Sequence, residues 1–395
     1  MTEKLHHCSF CGKEKDIVAK LIVSDSVAIC NECVTLCTDL LQDKNPISAL
    51  TLDNAKMDPI QLKTYLDQYV IGQEAAKIML SVAIVNHYKR INCQDPDREI
   101  TKANILVLGP TGSGKTLLAR TVAKYLDVPF AIADATSITE AGYVGDDVES
   151  LISRLYASSG NDVEKTQQGI VFVDEIDKIS RKSESTSITR DVSGEGVQQA
   201  LLKMVEGTTC RIPSGGGRKH PGGDMIEIDT KNILFIAGGA FVGLDKLIKN
   251  RTAGTSIGFN SPMTQNKDVS LTQVTPDDLI RFGLIPEFIG RFPGVVTLEE
   301  LDRLDMIKIL TEVKNNYIDQ YQWLFSQDDV KLDFDADAIE AIVDRAISSG
   351  TGARALHTEI ERALMPHMFH LREYHDRGIK VLDITAQDID TPVTR

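Results

Sequence analysis

The stretch NILVLGPTGSGKT, residues 104–116, decides the fold of this chain. Its first five residues form a short apolar run, typical of a buried parallel strand. Residues 109–116 fit the pattern G-x-x-x-x-G-K-[ST], in which glycines turn backbone N–H groups around phosphate oxygens. The sequence LLARTVAKYL follows at once and predicts a helix whose positive end faces the phosphates. This context argues against a chance glycine-rich turn and predicts a nucleoside triphosphate site.

The phosphate loop supplies most of the expected nucleotide contacts. We expect Lys115 to offset the charge of the β- and γ-phosphates and the Thr116 hydroxyl to hold Mg²⁺. The complete set predicted to bind ATP in this segment is Gly109, Pro110, Thr111, Gly112, Ser113, Gly114, Lys115, Thr116 and Leu117.

A second apolar run, IVFVDEIDKI at residues 170–179, ends in Asp174 and Glu175. An acidic residue at the carboxyl end of a strand beside a phosphate loop can hold Mg²⁺ through water, and the next carboxylate can polarise the attacking water. Taken alone, such a pair also suits a solvated strand end. Together with residues 109–116 it predicts ATP hydrolysis, with Asp174 as metal ligand and Glu175 as base.

Length and composition bound the remaining interpretation. The chain has 395 residues and a formal net charge of −14, which disfavours sequence-independent binding to nucleic acid. No apolar segment suits a signal peptide or a membrane span, so we expect a cytoplasmic protein without membrane attachment. A third apolar run, NILFIA at residues 232–237, supports a parallel α/β sheet with helical connections.

The pattern divides the chain into four parts. Residues 1–42 are rich in cysteine, residues 43–60 are polar and proline-punctuated like a linker, and residues 61–298 alternate strands with helices. Residues 299–395 are predicted to form a small, mainly helical domain. An example is the stretch 302–325, with Leu304, Ile307, Leu310 and Val313 at helical spacing.

Four cysteines near the N-terminus have the spacing of a zinc ribbon. The pattern is Cys8-x₂-Cys11-x₁₈-Cys30-x₂-Cys33, and each pair can offer two thiolates to one tetrahedral Zn²⁺. Metal binding would supply folding energy that so short a segment lacks. A redox or free-thiol role is the alternative, and His6, His7 or Cys37 are possible substitute ligands.

Further short motifs resemble those of the ClpX family of AAA+ ATPases, within the HSP100/Clp group. The resemblance covers nearly the whole chain, and its motifs besides the two nucleotide elements are VIGQ (70–73), GYVG (142–145), GRKHP (217–221), IGF (257–259), GRF (290–292) and GARAL (352–356). It implies an AAA+ large domain, a small α domain and a zinc-binding N-terminal domain that dimerises and receives substrates and adaptor proteins.

The resemblance also implies a homo-hexamer whose active sites are shared between subunits. Val70 and Ile71 would contact the adenine side of ATP, and Arg354 the nucleotide of its own subunit. Arg291 would reach into the neighbouring subunit's site. Judged by the residues alone, either arginine also suits an ordinary surface position.

Three loops carry the implied protein-handling function. Tyr143 and Val144 would grip a threaded polypeptide by apolar contact, because a loop that pulls arbitrary sequence cannot read particular hydrogen bonds. The basic residues Arg218, Lys219 and His220 would attract acidic tags. The partner contacts implied for the ClpP peptidase are Ile257, Gly258 and Phe259. Each segment alternatively suits an ordinary surface loop, and the last could fold back and bury its apolar residues.

The expected function is an ATP-dependent unfoldase and translocase that delivers tagged substrates to ClpP and is not itself a peptidase. The alternatives are a nucleic-acid remodelling AAA+ protein, disfavoured by charge, and a chaperone that works without a protease. The sequence departs from the family pattern at three places. Many AAA+ proteins have a polar residue at the end of the sensor-1 strand, whereas this chain has Gly238 and Gly239 there. Asn260 follows the IGF tripeptide where relatives often have glycine, and His357 follows ARAL where an arginine is common.

Overall fold

The computed structural model describes residues 7–24, 27–42, 54–93, 95, 97–98, 100–139, 147–181, 194–213, 225–252 and 270–390. The chain divides into two compact units, Met1–Thr51 and Leu52–Arg395, and each is described by itself.

The first unit is a hairpin followed by a helix. Strands β1 (Leu21–Val23) and β2 (Ala28–Cys30) pair antiparallel, and helix α1 (Asn31–Gln42) follows directly. Among the described residues of this unit, the buried cluster consists of Cys8, Val18, Cys30 and Cys33, with Leu21 and Ile29 packed against it. A cluster this small cannot offset the conformational entropy of folding, so the unit depends on a further source of stability.

The second unit begins inside the predicted linker. A short 3-10 helix spans Asn54–Met57, and the Met57 side chain is only 8% exposed in the core. Helical structure is therefore present before residue 61. The next helix begins at Pro59, which suits the first helical position, and Asp58 caps it.

The large domain is built around a five-stranded parallel sheet with strand order β4-β5-β8-β3-β9. An antiparallel hairpin, β6–β7, stands apart from this sheet. The elements in chain order are α2 (Pro59–Asp67), α3 (Glu74–Ile91), β3 (Ile105–Leu108), α4 (Lys115–Leu126), β4 (Phe130–Asp134), α5 (Glu149–Ser158), α6 (Val163–Gln167), β5 (Ile170–Asp174), α7 (Glu195–Glu206), β6 (Thr209–Pro213), β7 (Met225–Asp229), β8 (Leu234–Gly239), α8 (Leu244–Thr252), α9 (Pro276–Phe282), α10 (Pro286–Gly290) and β9 (Gly294–Thr297).

The sheet is buried on both faces, which explains its continuous apolar runs. In β3, Ile105 and Val107 enter one core cluster while Leu106 and Leu108 enter the cluster on the opposite face. Helices α2, α3 and α4 cover the first face. The three strands predicted from apolar runs are confirmed, and β4 and β9 add one strand at each edge.

The small domain follows β9 and has its own core. Its elements are α11 (Arg303–Thr311), α12 (Tyr317–Ser326), β10 (Lys331–Phe334), α13 (Ala336–Ser348), α14 (Arg354–Phe369), α15 (Leu371–Asp376), β11 (Val381–Ile384) and α16 (Ala386–Asp390), with β10 and β11 paired in parallel. The predicted helical stretch 302–325 is divided between α11 and α12. Asn315, with φ of 59°, lies between them, and Leu304 is 63% exposed rather than part of a buried stripe.

Candidate functional site

The phosphate loop joins the carboxyl end of β3 to the start of α4, as the motif predicts. Gly112 and Gly114 have φ of 79° and 98°, a region that glycine adopts without strain. At Gly109 a side chain is excluded, because a Cβ there would lie 2.7 Å from the Cβ of Leu298. The conformation of the phosphate loop therefore depends on glycine at positions 112 and 114 for backbone freedom and at position 109 for close packing.

Lys115 is the first residue of α4 and is 9% exposed. Its Nζ donates to the carbonyl oxygens of Gly109 at 2.7 Å and Pro110 at 2.9 Å. Burial lowers the pKa of Lys115, and the positive charge of Arg354 lowers it further, whereas Asp174 and Asp177 oppose the shift. The loop thus holds a partly desolvated cation that a phosphate group can compensate.

Asp174 and Thr116 are brought together although 58 positions separate them. The Thr116 Oγ1 donates to Asp174 Oδ2 at 3.0 Å. Strand β8 lies between β3 and β5, and parallel strands end at the same sheet edge, so both residues face one crevice. Oxygen ligands of this kind suit Mg²⁺.

Glu175 follows Asp174 with φ of 55°, a left-handed conformation that is uncommon for a residue other than glycine. Its amide donates to Asp174 Oδ1 at 2.9 Å, and its side chain is exposed and lines the crevice. The turn therefore directs two adjacent carboxylates differently, one toward Thr116 and one toward open space where a water can be polarised.

A cavity of about 630 Å³ contains these groups. Its walls come from both domains of the second unit. The predicted residues that line it are Val70, Ile71, Thr111, Gly112, Ser113, Gly114, Lys115, Thr116, Leu117, Asp174, Glu175 and Arg354. Gly109 and Pro110 take part through the carbonyl groups that accept from Lys115.

The segment carrying Val70 and Ile71 is held by buried polar groups. Lys77, 2% exposed, donates from Nζ to Asp67 Oδ1 at 2.5 Å and to the Val70 carbonyl at 3.3 Å. The Gln73 amide makes two 2.9 Å hydrogen bonds to the backbone of Glu299, at the start of the small domain. These contacts fix the segment with Val70 and Ile71, which lines the cavity.

Arg354 opens α14 and reaches the cavity from the small domain. Within the described ranges, no carboxylate forms an ion pair with its guanidinium. It thus offers a cation on the wall opposite to Lys115.

Arg291 lies elsewhere. Its carbonyl oxygen accepts from Asn104 Nδ2 at 2.9 Å, next to the paired residues Ile105 and Gly294 at the amino ends of β3 and β9. The phosphate loop leaves the opposite end of β3. The guanidinium pairs with Glu206 at 2.7 Å, and Arg291 does not line the cavity.

Close packing explains the glycines at the end of β8. A Cβ on Gly238 would lie 2.7 Å from the Phe172 ring, and one on Gly239 would lie 2.7 Å from Asp177 Oδ1. Asp177 is buried and also accepts from the amide of Ala240 at 3.2 Å. These positions leave no room for a larger side chain.

The four cysteine sulfurs in the first unit form a compact cluster, all within 4.8 Å of one another. The Cys8–Cys33 and Cys11–Cys30 sulfur distances are 3.9 and 3.7 Å. Tetrahedral zinc with Zn–S bonds of about 2.3 Å places sulfurs about 3.8 Å apart. The amide of Cys30 donates to Cys8 Sγ at 3.3 Å. Burial raises the pKa of Cys8, but amide donors from Cys11, Phe10 and Cys30 outweigh it and lower that pKa to about 6.

Three family models match the chain. The ClpX C4-type zinc finger matches residues 6–43, the AAA domain (Cdc48 subfamily) matches residues 100–295, and the C-terminal, D2-small domain, of ClpB protein matches residues 301–374. The three matches follow one another in the order of the domains.

The chain belongs to the ClpX-type Clp ATPases.

The family matches indicate what the cavity and the cysteine cluster bind in general terms. This ClpX-type chain carries an ATPase domain, and its four-cysteine cluster fits Zn²⁺. None of the helices in the described ranges has the length and apolar character that a membrane span requires.

Three sets of predicted residues of this ClpX-type chain lie outside the described residues, so their roles stay predictions. They are Tyr143 and Val144, then Arg218, Lys219 and His220, and finally Ile257, Gly258 and Phe259.

Apart from Arg354, the residues of the small-domain wall of the ATPase cavity were not predicted from the sequence, and neither were several large-domain residues. The unpredicted lining residues include Tyr69, Asp177, Lys178, Val242, Leu301, Ile309, Val313, Lys314, Asn315, Asn316, Tyr317 and Gln320. The helical pattern at residues 302–325 was visible, but nothing in it indicated that the break between α11 and α12 lines the cavity.

Proposed function

We propose that this chain is an ATP-dependent protein unfoldase and translocase that acts as a homo-hexamer and passes tagged substrates to the ClpP peptidase. Its place of action is the cytoplasm, where a thiolate cluster stays reduced and metal-bound.

The position of Arg291 is the observation that carries the ring arrangement. The four-residue strand β3 separates the Arg291 end of the sheet from the phosphate loop, a backbone distance of about 13 Å at 3.3 Å per residue. An arginine at that edge would contact the nucleotide bound to a second copy of the chain rather than the nucleotide of its own subunit. In the assembly, Arg291 would leave Glu206 and meet the γ-phosphate of a neighbouring subunit.

Within one subunit, the cavity residues divide the work of hydrolysis. Lys115 and Arg354 would stabilise charge on the transferring phosphoryl group from two sides, and Glu175 would take the proton of the attacking water. Thr116 and Asp174 would hold Mg²⁺, which supplies charge neutralisation at the phosphate oxygens when bound.

The proposed gripping loop starts and ends on the ATPase core. On either side of residues 140–146, Ile138 is 2% and Val148 is 6% exposed, and both belong to the same core cluster as β3 and β5. A shift of the sheet edge on hydrolysis would therefore be passed to Tyr143 and Val144 through packed side chains. The zinc-bound first unit would receive substrates and adaptor proteins, and Arg218, Lys219 and His220 would attract acidic tags.

The decisive test uses the Tyr143→Ala variant with purified ClpP, ATP and a stable tagged domain as substrate. We expect a loss of degradation of at least about tenfold while ATP hydrolysis persists, because the change removes grip and leaves the nucleotide cavity intact. An unfolded version of the same substrate should be degraded with a smaller loss.

Two outcomes would contradict the proposal. Degradation of the folded domain at the unaltered rate would remove Tyr143 as the grip. Removing residues 257–259 should abolish degradation and preserve ATP-dependent unfolding, so continued degradation would remove this tripeptide as the contact with ClpP.

A further inference from the structure

The phosphate loop and the turn before α14 contact each other through backbone atoms. A Cβ on Gly112 would lie 2.6 Å from the Thr351 carbonyl oxygen and 3.1 Å from the Ala353 amide nitrogen. Reciprocally, a Cβ on Gly352 would lie 2.8 Å from the Thr111 carbonyl oxygen. Each glycine thus occupies space that a side chain on the other would need.

This contact joins the two walls of the nucleotide cavity at one point. Gly112 lies three residues before Lys115, and Gly352 lies two residues before Arg354. Backbone atoms cannot yield by changing a rotamer, so any displacement of the loop must move the turn, and the reverse. A side-chain contact would absorb part of such a displacement.

We propose that Gly352 is a positioning residue that sets the distance between the small domain and the phosphate loop. Its lack of a side chain lets the domain approach until Arg354 and the α11–α12 turn meet the bound nucleotide. The contact would also carry a movement of the loop, on loss of the γ-phosphate, directly into the small domain. This inference rests on the proposed function, since it assigns a route by which hydrolysis changes the interdomain angle.

The turn contains its own matched control. Gly350 has φ of 69° and Gly352 has φ of 64°, so alanine at either position incurs the same kind of backbone strain. A Cβ on Gly350 has no neighbouring atom within 4 Å, whereas one on Gly352 meets the phosphate loop. The difference between the two variants isolates the contact from the strain.

The experiment compares full-length Gly352→Ala and Gly350→Ala with the unaltered protein. We expect Gly352→Ala to raise the Kd for a fluorescent ADP analogue at least about tenfold, and Gly350→Ala to change it less than about twofold. Hydrogen exchange should become faster in peptides covering residues 110–116 and 350–356 for Gly352→Ala. It should become faster only in the second peptide for Gly350→Ala, because local strain does not reach the loop.

Equal behaviour of the two variants in both measurements would overturn the inference. Should Gly352→Ala fail to fold, Gly112→Ala tests the same contact from the other side. It should speed exchange in residues 350–356, and unchanged exchange there would overturn the inference. Failure of the proposed function is seen separately, as an absence of ATP-dependent unfolding and degradation of a tagged domain by the unaltered protein.

Discussion

The two walls of the nucleotide cavity are made in different ways. The large-domain wall consists mainly of consecutive motif residues at the carboxyl ends of β3 and β5, fixed by a sheet that is buried on both faces, with Val70 and Ile71 beside them. The small-domain wall consists mainly of residues from α11, α12, the start of α14 and the segment that joins α11 to α12, and a separate core holds these elements.

The difference assigns different tasks to the walls. The groups proposed for metal binding and proton transfer, Thr116, Asp174 and Glu175, lie on the large-domain wall, called the rigid wall below, where they can be placed to a fraction of an ångström. The other wall supplies the cation Arg354 and apolar area from residues such as Ile309 and Val313, which would be gained or lost in the proposed movement of the small domain. Metal binding and proton transfer are thereby separated from the proposed closure of the cavity by the small domain.

The largest expected effect is on the rigid wall. Glu175→Gln should lower kcat for ATP hydrolysis by about 10²- to 10⁴-fold, because the amide cannot accept the proton of the attacking water. Nucleotide affinity should stay within about twofold, since the Glu175 side chain is neither a metal ligand nor a phosphate contact in the proposed site. Steady-state hydrolysis and equilibrium nucleotide binding measure the two quantities.

Glu164→Gln is the control for this change, because Glu164 is exposed on α6 and does not line the cavity. A Glu175→Gln variant that binds nucleotide and still hydrolyses at more than about a tenth of the normal rate would place the base elsewhere.

A smaller effect is expected on the small-domain wall. Ile309→Ala removes apolar area that lines the cavity and should raise KM for ATP about fivefold, the equivalent of about 1 kcal/mol. The value of kcat should change less than twofold. On the same helix, Leu304 is 63% exposed and outside the cavity, so Leu304→Ala should alter neither constant. Equal effects of the two changes would contradict the division of tasks.

The rigid wall could be predicted from the sequence because its physics is local. A glycine-rich turn, a lysine and a threonine at fixed spacing build a phosphate site wherever a strand precedes them and a helix follows. Asp174 and Glu175 needed only the rule that parallel strands end at one edge, and the cysteine pairs needed only their spacing.

Apart from Arg354, the small-domain wall could not be predicted, because no local rule places it. The left-handed residue Asn315 divides a helical pattern, and the core of the small domain then turns that break toward the cavity. Contacts of Tyr69 and Lys77 likewise follow from tertiary packing. The short helix Asn54–Met57 was not predicted for a similar reason, since Met57 is an isolated apolar residue in a polar stretch.

The smallest expected effect concerns the charge held on the rigid wall. Since burial lowers the pKa of Lys115 from its ordinary 10.5, the unfolded chain binds this proton more tightly than the folded one. The charged lysine therefore destabilises the nucleotide-free fold at neutral pH. Lys115→Met should raise the free energy of unfolding there by up to about 1 kcal/mol, as relief of strain at a functional site often does.

The sign of the pH dependence sharpens this prediction. As pH rises through the lowered pKa toward 10.5, the folded protein loses the proton first and the penalty disappears, so the advantage of Lys115→Met should shrink. Urea unfolding of nucleotide-free protein between pH 7 and 10 measures this trend. Lys203→Met, at an exposed position on α7, should show no such trend. A Lys115→Met variant less stable than the unaltered protein at neutral pH would mean that the carbonyl contacts of Lys115 outweigh its desolvation. The charged Lys115 would then stabilise the nucleotide-free fold, rather than destabilise it until a phosphate binds.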